Sequence, residues 1–137
     1  MSYEEKGTWV YLLVAVVAFG IYSVIIVGRA DGAPLAEVPY VSTMLWTIGI
    51  GILAGAVARG MVAKPGERRS ADERDKGVTR VGEHIGGIVL AVAMVVPFGL
   101  AMAEFEYFWI VNAMYAAYIL QAVVSSVVKL VAYRRGV

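Results

Sequence analysis

Hydrophobic residues along the chain fall into four long runs that contain no Asp, Glu, Lys or Arg. These runs cover residues 8–27, 38–58, 85–103 and 107–128. About 20 residues of helix cross the roughly 30 Å hydrocarbon core of a bilayer, and each run is about that long. Since lipid offers the backbone no hydrogen-bond partners, the runs are expected to be helical. We therefore predict an all-α, four-helix transmembrane bundle.

The predicted helices cover about 8–27, 38–60, 83–103 and 107–131, within a single integral membrane domain, 1–137. The third and fourth spans are connected only by residues 104–106. Because this connection is so short, we predict that the two spans form an antiparallel hairpin. Pro97 lies inside the third span and has no amide hydrogen for the carbonyl of Ala93. A kink is therefore expected in that span.

The predicted loop between the second and third spans, 61–82, is the longest polar segment. Its residues 70–73 have the S-x-x-E form of a capping box, which often starts a helix. Val78, Val81 and Ile85 then recur at helical spacing. We expect an amphipathic helical lead-in that joins the third span near the membrane surface.

Composition excludes a soluble globular protein. Hydrophobic residues make up 60% of the 137 residues, and charged residues make up 17%, whereas soluble domains have about 25% charged residues. The chain has no cysteine, which excludes disulfides and thiolate chemistry, and its net charge of +1 gives no basic surface for nucleic acid. The expected partner is therefore the lipid bilayer, with no nucleic acid.

Lys and Arg are distributed unequally between the two sides of the membrane. With four spans, the N-terminus, the 61–82 loop and the C-terminus share one side, and that side carries eleven of the twelve basic residues. The other side carries only Arg29. Because basic loops remain cytoplasmic, we expect a multi-pass plasma-membrane protein with both termini inside. Glu4 and Glu5 precede the first span, so we interpret it as a retained helix and not as a signal peptide.

Polar side chains on the fourth span form the first candidate site. Tyr118, Gln121 and Ser125 share one helical face, Tyr115 lies at its edge, and Asn112 lies on a neighbouring face. Polar groups at bilayer depth are costly and usually face the interior of a bundle. Two interpretations remain open: hydrogen bonding between helices, and the lining of a polar pocket or narrow pathway.

A second candidate site combines charged residues at the inner ends of the second and third spans. Glu83 and His84 are adjacent, Arg80 lies one turn before them, and Arg59 is expected at a depth where it can pair with Glu83. The cluster predicts ion pairs that fix the helix ends or, because histidine titrates near neutral pH, a proton relay. One histidine does not supply two haem ligands, and no spacing marks a metal site, so neither metal nor cofactor is expected.

Glycine pairs at a spacing of four residues mark close approaches between helices. Gly51 and Gly55 form such a pair in the second span, and Gly82 and Gly86 form one at the start of the third. This spacing lets two helix backbones approach closely in lipid. The pairs predict either packing within the chain or the interface of a homo-oligomer.

Consecutive charged residues near the end of the 61–82 loop form a candidate contact for a cytoplasmic protein partner. These residues are Asp72, Glu73, Arg74 and Asp75. Such a run is more often a solvated surface. Contact with a partner is the alternative.

Several short segments together resemble a family of small, uncharacterised four-helix membrane proteins of actinobacteria. The similarity spans nearly the whole chain. The segments that carry it are SYEEKGTW at 2–9, GRADG at 28–32, DERD at 72–75, Arg80 with Gly82-Glu83, Phe108-Trp109 with Asn112-Ala113, and YRRG at 133–136. The resemblance implies four spans and a prokaryotic plasma membrane. It implies no activity and no site residues.

Three functional hypotheses follow from these patterns. The sequence has no phosphate-binding loop, zinc pattern or Ser–His–acid set, so the first is a non-enzymatic module that binds a partner or ligand, as regulatory and immunity proteins do. The alternative is a small homo-oligomeric transporter or channel for an ion or small solute, lined by the polar face of the fourth span. The third is a haem- or quinone-binding membrane subunit.

Overall fold

The computed structural model describes residues 3–62 and 73–135, which are almost entirely helical. A short 3₁₀ turn at Leu35–Glu37 lies between the first two helices. The five α-helices are α1 (Tyr3–Ala30), α2 (Val41–Val62), α3 (Glu73–Ala93), α4 (Val95–Met102) and α5 (Tyr107–Arg135). No β-strand occurs in these two described ranges.

Four helical segments are long and apolar enough to cross a membrane. They are Glu4–Ala30, Val41–Met61, Lys76–Met102 and Tyr107–Arg135. The predicted all-α class with four candidate spans is therefore confirmed. The helices extend beyond the charge-free runs, because backbone hydrogen bonding continues through charged residues where side chains reach the membrane surface.

The third span consists of α3 and α4, which meet near its middle. α3 ends at Ala93, and the single turn residue Met94 separates it from α4. The buried Pro97 has no amide hydrogen to donate to the carbonyl of Ala93. Regular bonding resumes at once, since the amide of Phe98 donates to the Met94 carbonyl at 3.1 Å. The effect of the proline is thus a short interruption of the helix.

α3 begins well before the apolar part of the third span. Of the predicted loop 61–82, residues 61–62 end α2 and residues 73–82 belong to α3, while residues 63–72 lie outside the described ranges. Val78 is buried, with 2% of its surface exposed, whereas Val81 is 45% exposed. The polar first half of α3 therefore presents an apolar side chain inward and continues directly into the span.

Contacts between helices connect them in the order α2, α1, α5, α3. α1 packs against α2 and α5, and α5 also packs against α3 and α4. Among the described residues, α2 has no comparably extensive contact with α3 or α5. α1 and α5 therefore form the central pair. The buried core lies between the C-terminal half of α1, the N-terminal half of α5, the turn after α1 and the start of α2. It comprises Tyr22, Ile26, Ala30, Val38, Met44, Phe108 and Tyr115.

The connection after α1 is fixed to the start of α2 by one side chain. Arg29 donates from Nη1 to the carbonyl of Pro39 at 3.1 Å and to Oγ1 of Thr43 at 2.6 Å. Thr43 is buried. Arg29 therefore holds the end of α1 against the start of α2.

The connection between α4 and α5 turns at Glu104, whose backbone φ is 60°. Its amide donates to the carbonyl of Ala101 at 3.1 Å, and the amide of Phe105 donates to the carbonyl of Leu100 at 3.0 Å. This pair of bonds is the Schellman pattern, which usually has glycine at the left-handed position. The turn lets α5 begin at Tyr107, where it packs against α4.

Candidate functional site

A groove with a volume of about 730 Å³ opens between α2 and α5, with α1 as its floor. It forms because α1 contacts both neighbours while α2 and α5 remain apart. Its lining is largely aliphatic, and polar groups enter it at a few positions. This α1–α2–α5 groove is lined, among other residues, by Tyr11, Ala15, Met44, Arg59, Tyr118 and Gln121.

Arg59 marks one end of the groove. Its guanidinium lies against the first turns of α1, where a Cβ atom at Gly7 would be 2.8 Å from Arg59 Cζ. Arg59 Nη2 is also 3.9 Å from Oε2 of Glu4. Glycine at position 7 thus leaves room for the guanidinium beside α1, and the groove gains a positive charge at this end.

Two hydroxyls and one amide in the groove have unused hydrogen-bonding capacity. Tyr11 and Tyr118 are 50% and 55% exposed. In the described part of the chain, neither hydroxyl has a hydrogen-bond partner. The side-chain amide of Gln121 also has none there. Because polar groups without partners are costly at bilayer depth, these three side chains favour a polar occupant of the groove.

Asn112 and Tyr115 belong to the interface between α1 and α5. The Tyr22 hydroxyl donates to Oδ1 of Asn112, and Nδ2 of Asn112 donates to the carbonyl of Phe108 at 2.7 Å. The Tyr115 ring is buried, with its centroid 5.4 Å from that of Phe19 and 5.2 Å from that of Tyr22. These contacts join helices and use both polar functions of Asn112.

Ser125 lies in the interface between α5 and α3. Only 2% of its surface is exposed. A Cβ atom at Gly86 would be 2.9 Å from Ser125 Cβ and 3.1 Å from Nε2 of Gln121. One at Gly82 would be 2.7 Å from Cε of Lys129. The polar face predicted on the fourth span is therefore divided between two helix interfaces and the groove.

The glycine pair of α2 packs against α1. A Cβ atom at Gly51 would be 3.6 Å from Ala18 Cβ and 3.7 Å from Cγ1 of Val14, and one at Gly55 would be 4.0 Å from that Val14 atom. Both glycine pairs thus lie at helix contacts within the chain.

Two charged residues of the second candidate site, Glu83 and Arg59, contact oppositely charged residues on other helices. Lys129 Nζ donates to Oε1 of Glu83 at 2.6 Å, joining α5 to α3. Arg59 lies beside Glu4, which joins α2 to α1. Sequence reasoning did not identify Lys129 or Glu4 as partners, because the lateral order of the helices decides which charged ends meet. The available signal was that Lys129 lies four residues after Ser125 and thus near the polar face of the fourth span.

Other predicted site residues lie on the surface or outside the described ranges. Arg80 and His84 are exposed on α3. Glu73, Arg74 and Asp75 form the first residues of α3, and Asp72 lies outside the described part of the chain. Among the side chains that the structure describes, no three His, Asp or Glu residues converge in a group able to hold a metal.

Comparison of the chain with protein-family models, curated proteins and solved structures gives no match. The geometry of the groove is therefore the strongest guide to function.

Proposed function

We propose that the protein is a non-enzymatic membrane module that binds an amphipathic ligand or partner segment in the α1–α2–α5 groove. The observation that carries this proposal is the conjunction of an open apolar groove with three polar side chains that lack partners, Tyr11, Tyr118 and Gln121. Apolar lining with a few convergent polar groups is typical of ligand sites in proteins. In a bilayer, the apolar part of an occupant replaces lipid, and its polar part satisfies the three side chains.

The distribution of the polar residues of α5 favours binding over conduction. A pathway for an ion or solute needs a continuous polar lining along the span. Asn112 is engaged with Tyr22, and Ser125 is packed on Gly86, so neither is directed to a shared lumen. Tyr118 and Gln121 line a groove whose other walls are mainly apolar.

The proposed orientation places both termini and the Arg59 end of the groove on the cytoplasmic side of a prokaryotic plasma membrane. Eleven of the twelve basic residues support this orientation. In this arrangement α4 and α5 form an antiparallel hairpin across the membrane, turning at Glu104 on the outer side.

The first residues of α3 are the proposed contact for a cytoplasmic protein partner, through which ligand binding would be communicated. Glu73, Arg74 and Asp75, with Asp72 before them, bring both signs of charge together. Electrostatic complementarity of this kind selects partners and orients them. Charge reversal at Glu73, Arg74 and Asp75 together is expected to abolish the interaction. An unchanged set of interactions and an unchanged phenotype would contradict this role.

Site-specific photocrosslinking in native membranes tests the groove. A benzophenone amino acid at Tyr118 reports on the groove, and one at Phe98, which is 70% exposed on α4, is the matched control. We expect a discrete adduct of defined mass at position 118 and only heterogeneous lipid products at position 98. The same heterogeneous products at both positions would show that the groove is ordinary lipid-facing surface.

A further inference from the structure

The polar groups of the α1–α2–α5 groove follow an order along its length. The cationic Arg59 lies at one end, beside Gly7 in the first turns of α1. Tyr11 lies about one turn further along α1. Beyond it, the lining of α1 changes to Ala15 and Ala18, whose small side chains leave space over the helix.

This order of charge, hydrogen-bond donors and apolar surface matches the order of chemical groups in a membrane lipid. We infer that the groove binds one anionic glycerophospholipid from the leaflet on the side of the termini. Its phosphate lies at Arg59, its ester carbonyls accept from the Tyr11 hydroxyl and the Gln121 amide, and an acyl chain runs over Ala15 towards Met44. The inference rests on the proposed function and names the ligand of the same groove.

Arg59 has the capacity to bind a phosphate while it remains near Glu4. A guanidinium has five N–H donors, and the contact with Glu4 Oε2 at 3.9 Å is longer than a direct hydrogen bond. Phosphate oxygens accept charge-assisted hydrogen bonds from arginine, often two at once. Arg59 lines the groove, and its guanidinium is the part of the side chain that can bind the phosphate.

The donors in the groove distinguish a phospholipid from other occupants. Ester carbonyls are acceptors, and Tyr11, Tyr118 and Gln121 all have donors without partners. A quinone would use these donors but has no anionic group to place at the guanidinium of Arg59. The volume of about 730 Å³ lies within the range of about 300–1,000 Å³ found for sites that hold one ligand molecule, so the groove has room for the phosphate, the ester groups and part of an acyl chain of one lipid.

Native mass spectrometry of the purified full chain tests the inference. The probes are dioleoyl phosphatidylglycerol, dioleoyl phosphatidylcholine and menaquinone, each titrated separately into the detergent-solubilised protein. We expect one phosphatidylglycerol per chain, retained about tenfold more strongly than phosphatidylcholine. Both lipids carry the phosphate, but the quaternary ammonium of phosphatidylcholine is repelled by Arg59 and leaves that lipid without net charge.

Matched variants locate the bound lipid. Arg59→Gln is expected to remove the preference for phosphatidylglycerol, and Arg59→Lys to retain part of it. Arg134→Gln is the control, because it removes the same charge from an exposed position outside the groove. Ala15→Phe, which fills the groove floor, is expected to lower retention of both phospholipids. Circular dichroism and thermal midpoints verify that each variant is folded.

Several outcomes would overturn the phospholipid assignment. Equal loss of preference in Arg59→Gln and Arg134→Gln would show a general charge effect, and graded binding of many lipids would show an unspecific annulus. Retention of menaquinone without phosphatidylglycerol would replace the ligand while leaving the proposed function intact. A discrete photocrosslink at Tyr118 with no lipid retained would have the same meaning, whereas failure of both experiments would overturn the ligand and the binding function together.

Discussion

The hydroxyl of Tyr22 donates to Oδ1 of Asn112, and this hydrogen bond joins the two central helices, α1 and α5. Nδ2 of Asn112 is engaged within α5 by the carbonyl of Phe108. The bond lies beside the ring contact between Tyr22 and Tyr115. Hydrogen bonding and aromatic packing therefore act at the same level of the α1–α5 interface.

A double-mutant cycle between Tyr22→Phe and Asn112→Leu measures this bond. Each single variant is expected to lower the free energy of unfolding, with a coupling of about 0.6 kcal/mol and no more than about 1.7 kcal/mol, the range found for hydrogen bonds between membrane helices. Unfolding in mixed micelles gives the four free energies. Strictly additive effects would mean that the two side chains do not interact.

Gly86 and Gly87 are adjacent but differ in their surroundings, which gives a matched pair of variants. A Cβ atom at Gly86 would be 2.9 Å from Ser125 Cβ, whereas a Cβ atom at Gly87 would have no neighbouring atom within 4 Å. We expect Gly86→Ala to destabilise the protein by about 1–3 kcal/mol through overpacking. Gly87→Ala is expected to stabilise it by up to about 1 kcal/mol through helix propensity. Thermal unfolding followed by circular dichroism compares the two, and equal effects would contradict the close approach of α3 and α5.

Gly51 and Gly49 offer a similar pair on α2 that separates internal packing from homo-oligomerisation. Gly51 lies against Ala18, while a Cβ atom at Gly49 would meet nothing within 4 Å. Gly51→Leu is expected to weaken the α1–α2 contact and lower the thermal midpoint, with no change in copy number. Gly49→Leu serves as the control of equal size. If native mass spectrometry shows that an oligomer is lost only in Gly51→Leu, the Gly51–Gly55 pair would belong to a contact between copies of the chain.

Glu104→Gly is expected to stabilise the turn between α4 and α5. The residue has a φ of 60°, which costs an L-residue roughly 1 kcal/mol relative to glycine. Ala103→Gly is the control, because Ala103 has a φ of −83° and gains nothing from glycine. We expect a rise in the thermal midpoint for Glu104→Gly and none for Ala103→Gly. A fall for Glu104→Gly would mean that the carboxylate contributes more than the backbone strain costs.

Single cysteines test the proposed orientation in a chain that has none of its own. Ala33 is exposed in the connection after α1, and Arg134 is exposed near the end of α5. A membrane-impermeant maleimide is expected to label Ala33→Cys in intact cells and Arg134→Cys only after permeabilisation. The reverse pattern would place the termini outside and the Arg59 end of the groove in the outer leaflet.

The number of candidate spans could be predicted from the sequence because it depends on length and apolarity alone. The break at Met94 followed from the chemistry of Pro97. The lateral order of the helices did not follow, since faces towards lipid and faces towards protein are similarly apolar in a membrane. Without that order, the partners of Glu83 and Asn112 could not be chosen from among several polar residues at similar depths.

The groove was beyond sequence reasoning for the same reason. Tyr11 and Tyr118 lie more than a hundred residues apart along the chain, on helices that the sequence does not show to be neighbours. Because α2 and α5 are separated over α1, both side chains line one groove. The turn at Glu104 was also missed, because no glycine marks its left-handed backbone position.

The order α2, α1, α5, α3 also has a consequence for how the protein is made. α5 is synthesised last, yet it is the helix against which both α1 and α3 pack. The first two spans therefore leave the ribosome as a pair, and the third span remains without its main protein neighbour until α5 enters the membrane. Lateral assembly is completed at the end of translation, so premature termination before residue 107 would leave the α1–α2 pair and a third span with no helix to pack against, in place of a shortened bundle.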